Sequence, residues 1–218
     1  MISTTQAGDV AGVVLAAGGS TRMPGPSKLL RPWRGGVLVE GAVSAAREAR
    51  LRPCVVVVGS EAEALVPCLA RHDVILLEHE SWRRGRASSL AAGLERLAES
   101  EAVRAVVVLL GDEPGVTSHA VRSVVEEWRR GSADFVRVRY RDRPGHPVLL
   151  GAAARELALE FEGKESVWNR LTTTGLVGAE VAVDLMAPID VDVPSALKEA
   201  RAREEAACSR PGISGTRE

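Results

Sequence analysis

A cluster of glycines, hydroxyls and cations follows an apolar run near the start of the chain, where residues 15–30 read LAAGGSTRMPGPSKLL. The glycines let backbone N–H groups approach an anion with no Cβ in the way. Ser20 and Thr21 add hydroxyl donors, and Arg22 and Lys28 add positive charge. Together they suit a triphosphate, although a glycine-rich surface loop with incidental charges has the same composition. Neither GxxxxGK[ST] nor GxGxxG spacing occurs, so no Walker A loop or dinucleotide fingerprint is predicted.

A carboxylate in a second segment, LLGDEPGV (109–116), follows the most apolar run of the chain. Asp112 would stand at the end of a buried strand, where it could hold Mg²⁺, a cation that takes one or two carboxylates plus ligand phosphates. The alternative is an ordinary strand-ending turn, because Gly, Asp and Pro cluster in turns. Glu113 is expected to be solvated or to stand behind the metal ligand.

Two further carboxylates stand two residues apart in PIDVDVPSAL (188–197). On an extended segment the side chains of Asp190 and Asp192 share one face. Paired carboxylates repel each other unless a cation or hydrogen-bond donors compensate. We therefore expect a metal or hydroxyl ligand here, with a solvent-facing pair ahead of a helix as the alternative.

Two weaker signals lie between these segments. WRRGRASSLAAGL (82–94) brings Arg83, Arg84, Arg86 and two serines to a predicted helix start. This pattern indicates an anion or base-edge site, or only helix capping. His146 stands between Gly and Pro, and a lone histidine is more often structural than catalytic.

The elements that must position these side chains alternate along the first 131 residues. Apolar runs predict strands at 11–17, 54–60, 73–80 and 105–113. Helical spacing predicts helices at 37–50, 61–70, 86–100 and 118–131. Strands that are apolar throughout indicate a parallel sheet covered by helices on both faces. Ligands of such sheets bind at the carboxyl ends of the strands, which is where the glycine-rich loop and Asp112 fall.

The second half follows another pattern, because FVRVRYRDR (135–143) alternates apolar and charged residues like a half-exposed or edge strand. We therefore predict an α/β, Rossmann-like three-layer sandwich with a mostly parallel central sheet and a mixed-sheet extension in the C-terminal half. No linker divides the chain, so residues 1–207 are predicted to form one domain. Its nucleotide-binding half would span about 10–131 and its acceptor-binding half about 132–207. Residues 208–218 are predicted to be a disordered tail.

Composition excludes several function classes. Among 218 residues, 28 Lys and Arg balance 29 Asp and Glu, and aromatic residues make up 3%, so neither the charge nor the stacking surface of a nucleic-acid binder is present. No apolar run approaches ~18 residues, so no membrane span is expected. The first ten residues lack a basic and a long apolar region, which predicts a cytoplasmic protein without a secretory signal. Three widely spaced cysteines indicate neither a disulfide framework nor a CxxC metal site.

Taken together and in this order, the segments resemble the MobA-like nucleotidyltransferases. Among these, the chain is most similar to the molybdenum cofactor cytidylyltransferases. The family signature LAAGxSxRMG…K stands here as LAAGGSTRMPGPSK, its GDxPxV as GDEPGV and its serine-bearing helix start as GRASSLAAGL. Its PGHPV segment and its closing DIDTPxDL stand as PGHPVLL and IDVDVPSAL, so the resemblance spans about residues 11 to 205.

The resemblance implies a set of site residues. The nucleotide would be bound by Leu15, Ala16, Ala17, Gly18, Gly19, Ser20, Thr21, Arg22, Lys28, Ser89 and Gly111. The catalytic residues would be Arg22, Lys28 and Asp112. Mg²⁺ would be held by Asp112 with help from Asp190 or Asp192. The acceptor pocket would be bordered by Gly145, His146 and Pro147.

The implied reaction is nucleotidyl transfer from an NTP, with CTP favoured by LAAG where the guanylyl branch has LAGG, to a phosphorylated acceptor such as molybdopterin. Pyrophosphate would be released, and a molybdoenzyme could be a partner. The same chemistry with GTP or a phosphosugar, and a nucleotide-binding accessory protein without turnover, stay open. Two departures bear on this: RMPGPSK holds one residue more before Lys28 than RMGxxK, and 162–171 matches the family's acceptor segment only loosely.

Overall fold

The protein, described by a computed structural model over residues 9–19, 22–23, 25, 27–163 and 165–208, is built around one large β-sheet. The strands are β1 (Val10–Ala16), β2 (Pro32–Trp33), β3 (Gly36–Val37), β4 (Cys54–Val58), β5 (Ile75–Glu78), β6 (Ala105–Leu110), β7 (Phe135–Arg139), β8 (Pro144–Leu150) and β9 (Gly178–Ala182). The α-helices are α1 (Val39–Glu48), α2 (Ala62–Leu69), α3 (Arg86–Ala98), α4 (Ser118–Arg129), α5 (Ala152–Leu159), α6 (Val167–Leu171) and α7 (Pro194–Cys208). Short 3₁₀ turns cover Lys28–Leu30 and Trp82–Arg84.

The sheet has seven strands in the order β5-β4-β1-β6-β8-β7-β9. Strands β5, β4, β1 and β6 run parallel, β8 is antiparallel to both of its neighbours, and β9 is parallel to β7. Strands β2 and β3 form a separate hairpin. The predicted Rossmann-like sandwich with a mostly parallel sheet and a mixed C-terminal extension is therefore confirmed.

Both faces of the sheet are covered, which explains why its central strands are apolar throughout. One face packs against α1, α2 and α4 through side chains such as Val43, Leu65 and Val121. The other packs against α3 and α5 through Leu90 and Ala154. Every residue of β4 and of β6 is buried, because each lies inside the sheet and between two helical layers.

Of the two alternatives for 135–143, a half-exposed strand or an edge strand, the edge strand is not found. Strand β7 lies between β8 and β9, so β9 is the strand at that edge. The charged alternation of β7 is compensated by neighbours, since Arg137 stacks over the ring of Trp168 at 4.0 Å and forms an ion pair with Glu180. The last helix extends to Cys208, one residue into the predicted tail, and residues 209–218 lie outside the described part of the chain. None of the described helices is both long and apolar enough to cross a membrane.

The loop after β6 is held in place by close packing against α1. A Cβ on Gly41 would lie 2.4 Å from the carbonyl oxygen of Pro114 and 2.8 Å from its Cα, both of which are backbone atoms. Gly41→Ala is therefore expected to lower the free energy of unfolding by about 1–3 kcal/mol, because α1 or the loop must shift. Urea unfolding measures this change. The matched control is Gly115→Ala in the same loop, where the nearest atom would be 3.7 Å away; equal stabilities of the two variants would contradict the prediction.

Candidate functional site

The carboxyl ends of β1 and β6 open into a cleft of about 580 Å³. These strands are adjacent and parallel, so the loops that follow them meet at one edge of the sheet. Twelve residues singled out in the sequence line the cleft: Leu15, Ala16, Ala17, Gly18, Gly19, Arg22, Lys28, Arg83, Arg86, Ser89, Asp112 and Asp192. Ser20 and Thr21 lie outside the described residues.

Lys28 joins three segments that are distant in sequence. Its Nζ donates to Asp112 Oδ2 at 2.7 Å and to Asp192 Oδ1 at 2.6 Å. The side chain is only 8% exposed, and Arg22 forms a second ion pair with Asp192. The additional residue in RMPGPSK therefore does not keep Lys28 from reaching the carboxylates.

Three carboxylates converge beside this ammonium group. Asp112, Asp190 and Asp192 each offer an oxygen, and these oxygens lie within 4.8 Å of one another. The backbone N–H of Val191 donates to the carbonyl of Asp112 at 2.9 Å, which fastens segment 188–193 to the end of β6. This arrangement of hard oxygen donors suits a divalent cation such as Mg²⁺.

The charges in the cluster are unequal. Burial and the charges of Asp112 and Asp192 raise the pKa of Asp190 to about 6. Burial alone would raise the pKa of Asp192, but the hydrogen bond and charge of Lys28, together with Arg22, lower it. Burial would lower the pKa of Lys28, but Asp112 and Asp192 outweigh that effect and raise it. The ammonium group therefore stays charged and compensates two of the three carboxylates.

Of the two alternatives for Glu113, solvated or behind the metal ligand, the structure rules out the solvated one. Its side chain is 5% exposed, and its Oε2 has no hydrogen-bond partner among the described residues. Burial, followed by the charges of Asp112 and Asp190, raises its pKa to about 8. A turn composition of Gly, Asp, Glu and Pro predicts exposure, and only the close packing of this loop on α1 and on segment 188–193 buries the residue.

A much smaller cavity of about 20 Å³ adjoins the cleft on the side of His146. His146 lines it, whereas Gly145 and Pro147 do not. Tyr140 Oη donates to the His146 carbonyl at 2.6 Å, and the peptide bond to Pro147 is cis. Burial, with the charge of Arg86, lowers the pKa of His146 to about 4, so the imidazole is neutral near pH 7.

Sequence reasoning missed Trp82, which forms a wall of the cleft. It also predicted that Gly111 binds the nucleotide, whereas Gly111 packs behind the cleft. Trp82 lines the cleft, and a Cβ on Gly19 would be 3.6 Å from its ring. The available signal was a tryptophan directly before WRRGR in a chain with 3% aromatic residues. Gly111 does not line the cleft; its N–H donates to the Leu15 carbonyl at 2.9 Å, and a Cβ would approach that oxygen to 3.1 Å.

Solved structures share this fold. Rv0371c from Mycobacterium tuberculosis H37Rv superimposes with a TM-score of 0.78 at 27% identity, covering 88% of this chain and 97% of that one. A second structure of Rv0371c, a complex with manganese, has a TM-score of 0.73 at 26% identity with the same coverage.

Sequence comparisons place the chain in a family. The curated protein nicotine blue oxidoreductase of Paenarthrobacter nicotinovorans is 29% identical over 151 residues, which cover 67% of this chain and 72% of that protein. A family model described as the MobA-like NTP transferase domain matches residues 12–176. The match covers most of the nine strands and the segments in which Lys28 and Asp112 stand. The chain therefore belongs to the MobA-like NTP transferases, a family of nucleotidyltransferases.

Proposed function

We propose that the protein transfers a cytidylyl group from CTP to a phosphorylated acceptor, with molybdopterin the favoured acceptor, and releases pyrophosphate in the cytoplasm. The observation that carries the proposal is the meeting of Lys28 with Asp112 and Asp192 at the floor of a cleft that opens at the strand ends. The family supports nucleotidyl transfer. The choice of CTP rests on LAAG after the first strand, and that of molybdopterin on the PGHPV and IDVDVP segments.

The two substrates would be bound by two halves of one domain. Residues of about 10–131 would bind the nucleotide, with the ends of β1 and Ser89 against the base and ribose, and Gly19 and Arg22 at the β- and γ-phosphates. Residues of about 132–207 would bind the acceptor, with His146 at its border. The 580 Å³ of the cleft suits a ligand of nucleotide size.

The carboxylate cluster fits a divalent cation, which we propose to be Mg²⁺. Asp112 would hold it with help from Asp190 or Asp192, because Mg²⁺ takes one or two carboxylates beside substrate phosphates. The manganese complex of Rv0371c supports a divalent cation in this fold. When bound, such a cation would neutralise charge on the triphosphate.

The chain's own residues would then position the substrates and stabilise charge. A phosphate oxygen of the acceptor attacks the α-phosphorus in line, the bond to the bridging oxygen of the β-phosphate breaks, and pyrophosphate leaves with that electron pair. Lys28 and Arg22 stabilise the developing negative charge. The attacking phosphate is already largely ionised near pH 7, with a second pKa of about 6, so the reaction needs no general base.

Two measurements test the proposal. A thermal-shift screen of the four NTPs with Mg²⁺ should show the largest stabilisation with CTP, and molybdopterin should then release pyrophosphate from CTP. The largest stabilisation with GTP would indicate a guanylyl transfer in place of a cytidylyl transfer. Turnover with a phosphosugar would indicate a sugar acceptor in place of molybdopterin. Binding of CTP without pyrophosphate release for any acceptor would instead favour an accessory protein of a molybdoenzyme.

An oxidoreductase function is the second candidate, because the curated relative at 29% identity is nicotine blue oxidoreductase. The sequence has no GxGxxG fingerprint for a dinucleotide. Oxidation of NADH or NADPH in the presence of nicotine blue, without any requirement for CTP, would favour this candidate over nucleotidyl transfer.

Metal binding should depend on pH through Asp190. A carboxyl whose pKa is raised to about 6 must lose its proton before it can ligate a cation, so affinity for Mn²⁺ is expected to fall as pH is lowered through about 6. For metal-free protein the sign is opposite: this group ionises less readily folded than unfolded, so its contribution to the free energy of unfolding falls as pH rises from about 4 to about 6. Electron paramagnetic resonance titration of Mn²⁺ between about pH 5 and about pH 7.5 measures the first effect. A pH dependence that persists unchanged in Asp190→Asn would contradict it.

A further inference from the structure

Arg86 is the first residue of α3 and lines both the nucleotide cleft and the small cavity beside His146. The residue is exposed, and its guanidinium makes no hydrogen bond or ion pair with any residue that the structure describes. Its charge nevertheless acts on the acceptor side of the site, since it contributes to lowering the pKa of His146 and opposes the raised pKa of Asp190. Arg86 therefore stands between the two predicted substrate positions.

The other cations around the cleft are already engaged. Lys28 and Arg22 are paired with aspartates. Arg143 donates to the Pro188 carbonyl at 2.7 Å, and the Arg83 guanidinium stacks over the ring of Trp82 at 4.6 Å. Of the four described cationic side chains that line the cleft, Arg86 is the one with no ion pair, hydrogen bond or ring contact to a described residue.

An anion on the acceptor side needs such a cation. The acceptor's phosphate is a dianion for most of its population near pH 7. It must approach a region that holds Asp112, Asp190 and Asp192, while His146 is neutral and offers no charge. A guanidinium matches phosphate in geometry and stays charged at every relevant pH.

The small cavity beside Arg86 is mainly apolar. Its volume of about 20 Å³ admits a methyl, a methylene or the edge of a ring, and no more than about one water molecule. The apolar lining is formed by Leu15, Ala87, Leu90, Val108, Phe161 and Val167, and the polar lining by Arg86, His146, Glu165 and Ser166. A ring with a hydroxyl on most carbons would place some of these hydroxyls against the apolar wall without a hydrogen-bond partner, which disfavours a polyhydroxylated ring.

We propose that Arg86 binds the phosphate of the acceptor, and that the acceptor presents an apolar edge, not a hydroxylated sugar ring, next to that phosphate. The inference rests on the proposed nucleotidyl transfer and adds to it the residue and the substrate class of the acceptor site.

The test uses the whole protein saturated with Mg²⁺ and a CTP analogue whose α,β-bridge is methylene, so that no transfer occurs. Phenyl phosphate and glucose 1-phosphate are titrated as probes by calorimetry. Phenyl phosphate is expected to bind about tenfold more tightly than glucose 1-phosphate. Arg86→Ala should lower the affinity for phenyl phosphate by about tenfold or more, and Arg86→Lys should lower it by less.

The matched control is Arg84→Ala. Arg84 stands two residues earlier, pairs with Glu162 at 3.2 Å and does not line the cleft, so phenyl phosphate should bind this variant like the wild type. Unchanged probe binding in Arg86→Ala, or weaker binding of the CTP analogue to that variant, would overturn the assignment. Equal affinities of the wild type for glucose 1-phosphate and phenyl phosphate would overturn the proposal that the acceptor presents an apolar edge. If the wild type failed to bind the CTP analogue, the proposed function itself would fall.

Discussion

Asp112→Asn is expected to abolish Mg²⁺-dependent pyrophosphate release from CTP. Asp112 accepts from Lys28 at 2.7 Å and belongs to the acidic cluster. An amide keeps the shape of the side chain but removes the charge that would hold the cation. Loss of metal-derived stabilisation is worth several kcal/mol in the transition state, or on the order of 10³ in rate.

Folding of the variant should be preserved, so the loss can be read as a loss of function. Lys28 keeps Asp192 as a partner at 2.6 Å, and the backbone carbonyl of residue 112 still accepts from Val191. The matched control is Asp73→Asn, which changes an exposed aspartate on the surface that pairs with Arg52. Pyrophosphate release is measured with a coupled assay, and full activity of Asp112→Asn would remove this residue from the metal site.

The hydrophobic pattern of the sequence predicted the central strands, because a strand that is buried on both faces is apolar throughout. The apolar runs at 54–60 and 105–113 became β4 and β6, whose residues are buried on both faces and so need no polar side. Since ligands of parallel sheets bind at the carboxyl ends of the strands, the same pattern predicted that the glycine-rich loop and Asp112 lie at one edge of the sheet.

The alternatives that local pattern left open were decided by long-range contacts. An alternating charged pattern cannot distinguish an edge strand from β7, because the compensation comes from Trp168 and Glu180, about thirty and forty residues further along. Likewise, Glu113 stands in a segment with the composition of an exposed turn, and its burial follows from packing of that turn against α1 and segment 188–193. The side-chain pattern of a segment indicates whether it forms a strand, a helix or a turn. The position of β7 in the sheet and the burial of Glu113 depend instead on which strands, helices and loops pack against each other.

The position of Lys28 has a consequence for metal binding. Its ammonium group lies 2.7 and 2.6 Å from oxygens of two of the three clustered aspartates, which is where a cation between them would sit. Ammonium and metal compete for the same oxygens and repel each other. Without a nucleotide to draw Lys28 toward a phosphate, the lysine therefore opposes metal binding.

Lys28→Met should consequently change two quantities in opposite directions. Pyrophosphate release is expected to fall by on the order of 10²–10³, because one electrostatic donor to the reacting phosphate is lost. Mn²⁺ should bind nucleotide-free Lys28→Met more tightly than wild type, by about tenfold, because the competing charge is gone. Electron paramagnetic resonance measures the second effect without any turnover.

The comparison variant is Arg22→Met, since Arg22 is exposed and touches only Asp192 within the cluster. Its effect on Mn²⁺ affinity should be smaller than that of Lys28→Met, because surface ion pairs are screened by solvent. A purely structural role for Lys28 would lower Mn²⁺ affinity, since the aspartates would lose the group that orders them. Tighter Mn²⁺ binding together with lost turnover is the combination that only an ammonium group at the cation position explains, and unchanged or weaker Mn²⁺ binding in Lys28→Met would exclude it.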